Sequence, residues 1–94
     1  MASKGAVIGL TRGLATDLAA YNITVNAILP TASRTPGGEK FIGNETLEMV
    51  GQMQAIKRVG TAQDVVGVTC FLTSEDCHLV TGQTISADGG LVRL

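Results

Sequence analysis

Aromatic side chains are almost missing from this sequence of 94 residues: there is no tryptophan, and Tyr21, Phe41 and Phe71 are the whole set. Basic charge is also short. Seven Lys and Arg against eight Asp and Glu give a net charge of −1, scattered along the chain, without the basic patch that a nucleic-acid partner requires. Long apolar runs are absent too. The best, Val65–Leu72, is about half the length needed to cross a bilayer, so no membrane span is expected. Two cysteines, Cys70 and Cys77, are too few for a disulfide scaffold and suit a reducing, cytoplasmic setting. Lys4, Arg12 and Asp17 interrupt the start of the chain, against a secretory signal.

What is present is an interior. The chain is 45% apolar and 16% charged with a mean hydropathy of +0.29, the composition of a folded domain and not of a disordered segment. With so few aromatics the core must be built from aliphatic and small side chains. Twelve glycines allow close backbone approach and tight turns. The length suffices for one small domain, which buries a smaller share of its surface than a full-size enzyme does.

Periodicity predicts a helix over Ala2–Ala20, with Val7, Leu10, Leu14 and Leu18 on one stripe. Gly5, Gly9 and Gly13 fall four apart on another stripe. Each costs roughly 1 kcal/mol in a helix interior, so the run predicts close packing against a neighbour. Tyr21-Asn22 ends the helix, since Asn tolerates a left-handed cap. Ile23–Leu29 is apolar and β-branched on both faces, a strand covered on both sides and stopped by Pro30. Thr31–Asn44 is loop-like, Glu45–Ile56 fits a helix, and Thr61 stands as N-cap of a further helix reaching about Thr73. Gln83–Ala87 is a short strand closed by Asp88-Gly89-Gly90.

Helix, strand, helices, strand is an α/β order, with two strands joined by a helical crossover as a parallel pair requires. Two strands leave open edges, and parallel sheets are buried structures. The expectation is therefore one end of a larger doubly wound sheet, which folds poorly alone or only as an oligomer.

Four segments then line up in order and spacing: Ala2-Ser3-Lys4-Gly5-Ala6-Val7, Ile23–Pro30, Arg58–Val66, and Phe71–Ser74 followed by Thr81–Ile85 and Asp88-Gly89-Gly90. Together they resemble the C-terminal part of the short-chain dehydrogenase/reductase family. The resemblance implies the C-terminal portion of a single Rossmann-like domain over residues 1–94, from an NAD- or NADP-dependent oxidoreductase acting on a small alcohol or ketone. It implies a homo-oligomer, dimer or tetramer, built partly through the first helix and the last helix and strand. Lys4 matches the family's lysine, which lowers the pKa of a catalytic tyrosine one helical turn earlier and binds the nicotinamide ribose. That tyrosine position falls before residue 1, and Tyr21 lies too far along the helix to replace it. The family's Gly-rich turn for the cofactor pyrophosphate, its catalytic serine and its coenzyme-selecting residues have no counterpart in the 94 residues. The chain alone is expected to be inactive: a fragment of an enzyme, or a non-catalytic module pairing with full-length relatives.

The family's Pro-Gly-x-x-x-Thr turn, which holds the nicotinamide carboxamide, is matched by Pro30, Ser33 and Thr35, with Thr31 in place of the glycine. The segment beyond is a substrate lid in relatives, and Phe41, Leu47, Met49 and Met53 offer it an apolar lining. Without the resemblance these residues have plainer readings. Lys4 is then an exposed lysine, Thr35 a turn residue before Pro36, and Ser3 a helix N-cap. Cys70, Cys77 and His78 lack the ligand number for zinc, so no metal is expected. Cys70, beside Phe71 on the late helix, is expected in the core.

Overall fold

The computed structural model describes residues 2–34 and 43–92. Along the chain run α1 (Ala2–Leu18), β1 (Ala27–Pro30), β2 (Ser33–Arg34), α2 (Asn44–Met53), β3 (Gly60–Thr61), α3 (Ala62–Leu72) and β4 (Thr84–Ala87). One-turn 3-10 segments follow α1 and α3, at Ala19–Tyr21 and Glu75–Cys77. Two compact units are distinguished, Met1–Ile28 with Thr69–Ile85 and Leu29–Val68 with Ser86–Leu94.

In the first unit α1 ends as its sequence demands. Asn22 takes φ 59, ψ 34 and its N–H donates to the Ala19 carbonyl, closing the helix with a left-handed cap. The chain then runs beside residues 80–83. The Gly82 N–H donates to the Val25 carbonyl at 2.7 Å, and the Ala27 N–H to the Gln83 carbonyl at 2.9 Å. These bonds advance in the same sense along both segments, as in a parallel pair, and lead into the β1–β4 ladder. Asn26 clamps the same stretch from both sides. Its Nδ2 donates to the Val80 carbonyl and its Oδ1 accepts from the Gln83 N–H, both at 3.1 Å. Gly82 is left-handed at φ +72, and a Cβ there would lie 3.4 Å from that of Ala15.

Several expectations fail in this unit. Along α1 the buried residues are Thr11 and Ala15, whereas Val7, Leu10 and Leu14 of the apolar stripe are exposed, Leu10 to 62%. A Cβ on Gly5, Gly9 or Gly13 would meet nothing within 4 Å, so the glycine stripe does not pack closely among the described residues. Cys70 is exposed, and the buried thiol is Cys77, 2% exposed in the turn after α3. Periodicity puts Cys70 on a helix without saying which of its faces is covered. Ser3 lies inside α1 and is exposed, so the N-cap reading does not hold.

The second unit buries one large apolar side chain among its described residues. Leu47 of α2 is 1% exposed, and Gly51 packs so closely on Arg58 that a Cβ would stand 3.1 Å from its carbonyl carbon. Met49 and Met53 are exposed; of the expected lid lining only Leu47 is buried, and Phe41 lies outside the described residues. The stretch expected to be loop contains β2, which pairs in parallel with β3 through Ser33 opposite Gly60 and Arg34 opposite Thr61. At the start of α3 the N-cap bonding runs through Asp64. Its carboxylate accepts from the Thr61 N–H at 2.8 Å and from the Thr61 hydroxyl at 3.1 Å, so the threonine donates its hydroxyl instead of receiving with it.

Candidate functional site

The second unit concentrates its polar groups around the turn that leaves β1. Pro30 ends the strand on an exposed position, and Thr31, Ala32 and Ser33 are half-buried. The Ser33 hydroxyl donates to the Thr31 carbonyl at 2.9 Å, which folds the turn on itself. Behind it stands Gly60. A Cβ at that position would come within 2.7 Å of Thr31 Cγ2 and 2.9 Å of Ser33 Oγ, so the turn's side chains occupy the space a larger residue needs.

Gln54, just past α2 and 3% exposed, fixes the turn from the inside. The Thr31 hydroxyl donates to Gln54 Oε1 at 2.8 Å, while Gln54 Nε2 donates to the carbonyls of Ile56 and Arg58, both at 3.0 Å. Only one orientation of the amide satisfies this set, because two carbonyls need the nitrogen and leave the oxygen for the hydroxyl. Gly89, at φ +65, leaves room for the amide; a Cβ there would stand 2.5 Å from Nε2. The Ile56 N–H donates to the Gly89 carbonyl at 2.8 Å, and the Asp88 carboxylate accepts from the N–H groups of Gly90 and Val92. The Asp88-Gly89-Gly90 turn therefore backs the residues that hold Thr31. These groups border a cleft of about 170 Å³ lined also by Val65 and Ala87.

On the rim, Arg58 pairs with Asp64 through two bonds of 2.8 and 2.6 Å. The guanidinium, aided by the Thr61 N–H, holds the Asp64 carboxyl far below the usual carboxylate range; the same bond raises Arg58. Arg34 of β2 bonds to Asn44 and stands 3.6 Å from the Glu48 carboxylate.

Of the residues singled out in the sequence, Pro30, Thr31 and Ser33 come together in this turn, and Thr35 lies outside the described residues. Lys4 belongs to the first unit, exposed on the first turns of α1. The sequence reading missed Gln54, Asn26 and the parallel β2–β3 pair. A glutamine at the end of an amphipathic helix carries no mark of burial, and only the bonds it makes reveal its place. A wider concavity of about 890 Å³ in the first unit is lined by Asn22, Thr24, Asn26, Ser74, Cys77 and His78 among others. Among the described residues no group of three His, Cys, Asp or Glu could hold a metal ion, and no helix is long and apolar enough to cross a membrane.

Set beside known proteins, residues 1–92 match the family model described as enoyl-(acyl carrier protein) reductase. The chain is 42% identical over 91 residues to the 3-oxoacyl-acyl-carrier-protein reductase of Thermotoga maritima, covering 97% of this chain and 37% of that protein. It is 40% identical over 90 residues to the 7alpha-hydroxysteroid dehydrogenase of Bacteroides fragilis, covering 96% and 35%. Its fold matches that of 4-hydroxyisoleucine dehydrogenase complexed with NADH at a TM-score of 0.84 and 35% identity, over 97% of this chain and 38% of that one. The chain thus spans well under half the length of the relatives it matches. Both the α/β architecture and these matches over nearly all of its residues lead to one assignment: the chain belongs to the short-chain dehydrogenase/reductase family.

Proposed function

We propose that these residues are the C-terminal portion of an NAD- or NADP-dependent oxidoreductase that moves hydride between nicotinamide and a small alcohol or ketone. The turn at Pro30–Ser33 is its nicotinamide end. The observation that carries this is the half-buried turn at the end of β1, with hydroxyls at Thr31 and Ser33, the first held by buried Gln54 and the second by the Thr31 carbonyl. A carboxamide offers one acceptor and two donors, and a turn of hydroxyls and backbone amides can answer both. Such a donor set fits the carboxamide. It does not fit a pyrophosphate, which needs glycine-rich backbone at a helix N-terminus.

The bound coenzyme supplies the hydride chemistry. This chain's residues position it: Pro30, Thr31, Ser33 and Thr35 orient the carboxamide, and Lys4 holds the ribose hydroxyls. Lys4 also favours the phenolate of a tyrosine one turn earlier on the helix. Without that tyrosine the 94 residues turn nothing over. A second reading, a contact module for further copies or relatives, draws on α1, where Val7, Leu10 and Leu14 are exposed beside unobstructed glycines.

Titration of the 94-residue chain with NADH and NADPH, followed by reduced-nicotinamide fluorescence, tests the first reading. Enhanced, blue-shifted emission that Thr31→Val diminishes, with no oxidation of the coenzyme by ketones, is expected. Emission unchanged at saturating protein, or measurable turnover, contradicts it.

A further inference from the structure

Gln54 makes three hydrogen bonds while almost wholly buried, and only one of them is to a side chain. Its two bonds to the Ile56 and Arg58 carbonyls anchor the amide to the backbone between α2 and β3. The third fixes the direction of the Thr31 hydroxyl proton, because a carboxamide oxygen can only accept. Gly89 is shaped around the amide nitrogen, and Gly60 around Thr31 and Ser33. Neither anchoring carbonyl belongs to the turn; the amide reaches into it through Thr31 alone.

We infer that Gln54 is a positioning residue for the nicotinamide end of the site. With the hydroxyl proton committed to Oε1, the Thr31 oxygen has only lone pairs to offer a ligand and can serve it only as an acceptor, the partner a carboxamide NH₂ requires. Gln54 thereby sets both the rotamer of Thr31 and the polarity it offers. This rests on the nicotinamide reading of the Pro30–Ser33 turn. It adds a residue outside the turn whose only route to the ligand is the threonine hydroxyl.

The test is a double-mutant cycle on the 94-residue chain, with Gln54→Met and Thr31→Val, reading the affinity for nicotinamide mononucleotide by NMR titration. Each single change is expected to weaken binding about tenfold, a 1.4 kcal/mol loss, and the pair no further than either alone. Losses that multiply, or a Gln54→Met chain that binds as the parent does, overturn the inference while leaving the nicotinamide reading intact. A parent chain that does not respond to the nucleotide overturns both. Should Gln54→Met not fold, the unaltered chain decides. The Gln54 side-chain amide signals must then shift along the same binding curve as Thr31, and amide signals that stay fixed while Thr31 moves overturn the inference.

Discussion

The two compact units solve the same problem with different means. Residues 29–68 and 86–94 hold their turns with buried polar groups: Gln54 bridges Thr31 to two carbonyls, Asp88 caps the last turn, and Gly60 and Gly89 give up their side chains to make room. Residues 1–28 and 69–85 clamp one stretch through Asn26 and Gly82 but leave the apolar stripe of α1 uncovered. In the first case specificity is built inward, where one misplaced atom leaves a polar group unsatisfied. In the second the glycine stripe and the exposed leucines of α1 stay uncovered among the described residues. The difference is between turns fixed by buried polar bonds and an apolar helix face left open.

The sharpest way to break this comparison is a methyl group placed in each unit. Gly89→Ala puts a Cβ against Gln54 Nε2 and forces an alanine into φ +65, so a loss of roughly 2–4 kcal/mol is expected in chemical denaturation. Gln54→Met leaves the Arg58 carbonyl and the Thr31 hydroxyl without their side-chain partner, while the Ile56 carbonyl keeps the Arg58 N–H, and roughly 1–3 kcal/mol should be lost. Gly9→Ala meets nothing within 4 Å and gains helix propensity, so the isolated chain should become more stable by roughly 0.5–1 kcal/mol. A destabilised Gly9→Ala chain, with a concentration-dependent transition in the parent, would show that the stripe is already covered by a second copy.

The smallest expected effect lies at Arg58–Asp64. The carboxyl is depressed below its ordinary value of 3.8, so the stabilisation is complete above that value and fades as pH falls toward the depressed one. Melting of the parent and of Asp64→Asn across the acid range should diverge only above the window in which the parent's carboxyl becomes protonated. Parallel profiles through that window would remove the pair from the account.

Much of the fold was legible because it rests on periodicity and on single decisive residues. The stripe Val7, Leu10, Leu14 gives α1, and Asn22 ends it with a positive φ, which its short polar side chain tolerates. Both main strands are legible too, although the β1 ladder is shorter than its β-branched run, Ile23–Leu29, predicts. The β2–β3 pair was not legible, since two residues cannot display an alternation and their partners lie far along the chain. Burial was the least readable property. Cys70 and Cys77 look alike in sequence, yet only the second is enclosed, and Gln54 gives no sign of its burial. Pro30, Thr31 and Ser33 were singled out through motif position, while Gln54, which bonds to Thr31, shows itself only through its bonds.

Residue-by-residue mapping decides whether the turn at Pro30–Ser33 receives nicotinamide. Nitrogen-labelled chain is titrated with nicotinamide mononucleotide, and the shifts of its amide signals are assigned. Shifts that share one binding curve and centre on Thr31–Ser33 and the Gln54 side chain are expected. Shifts centred on Asn22, Asn26 and His78, or no shifts at all, would contradict the nicotinamide reading.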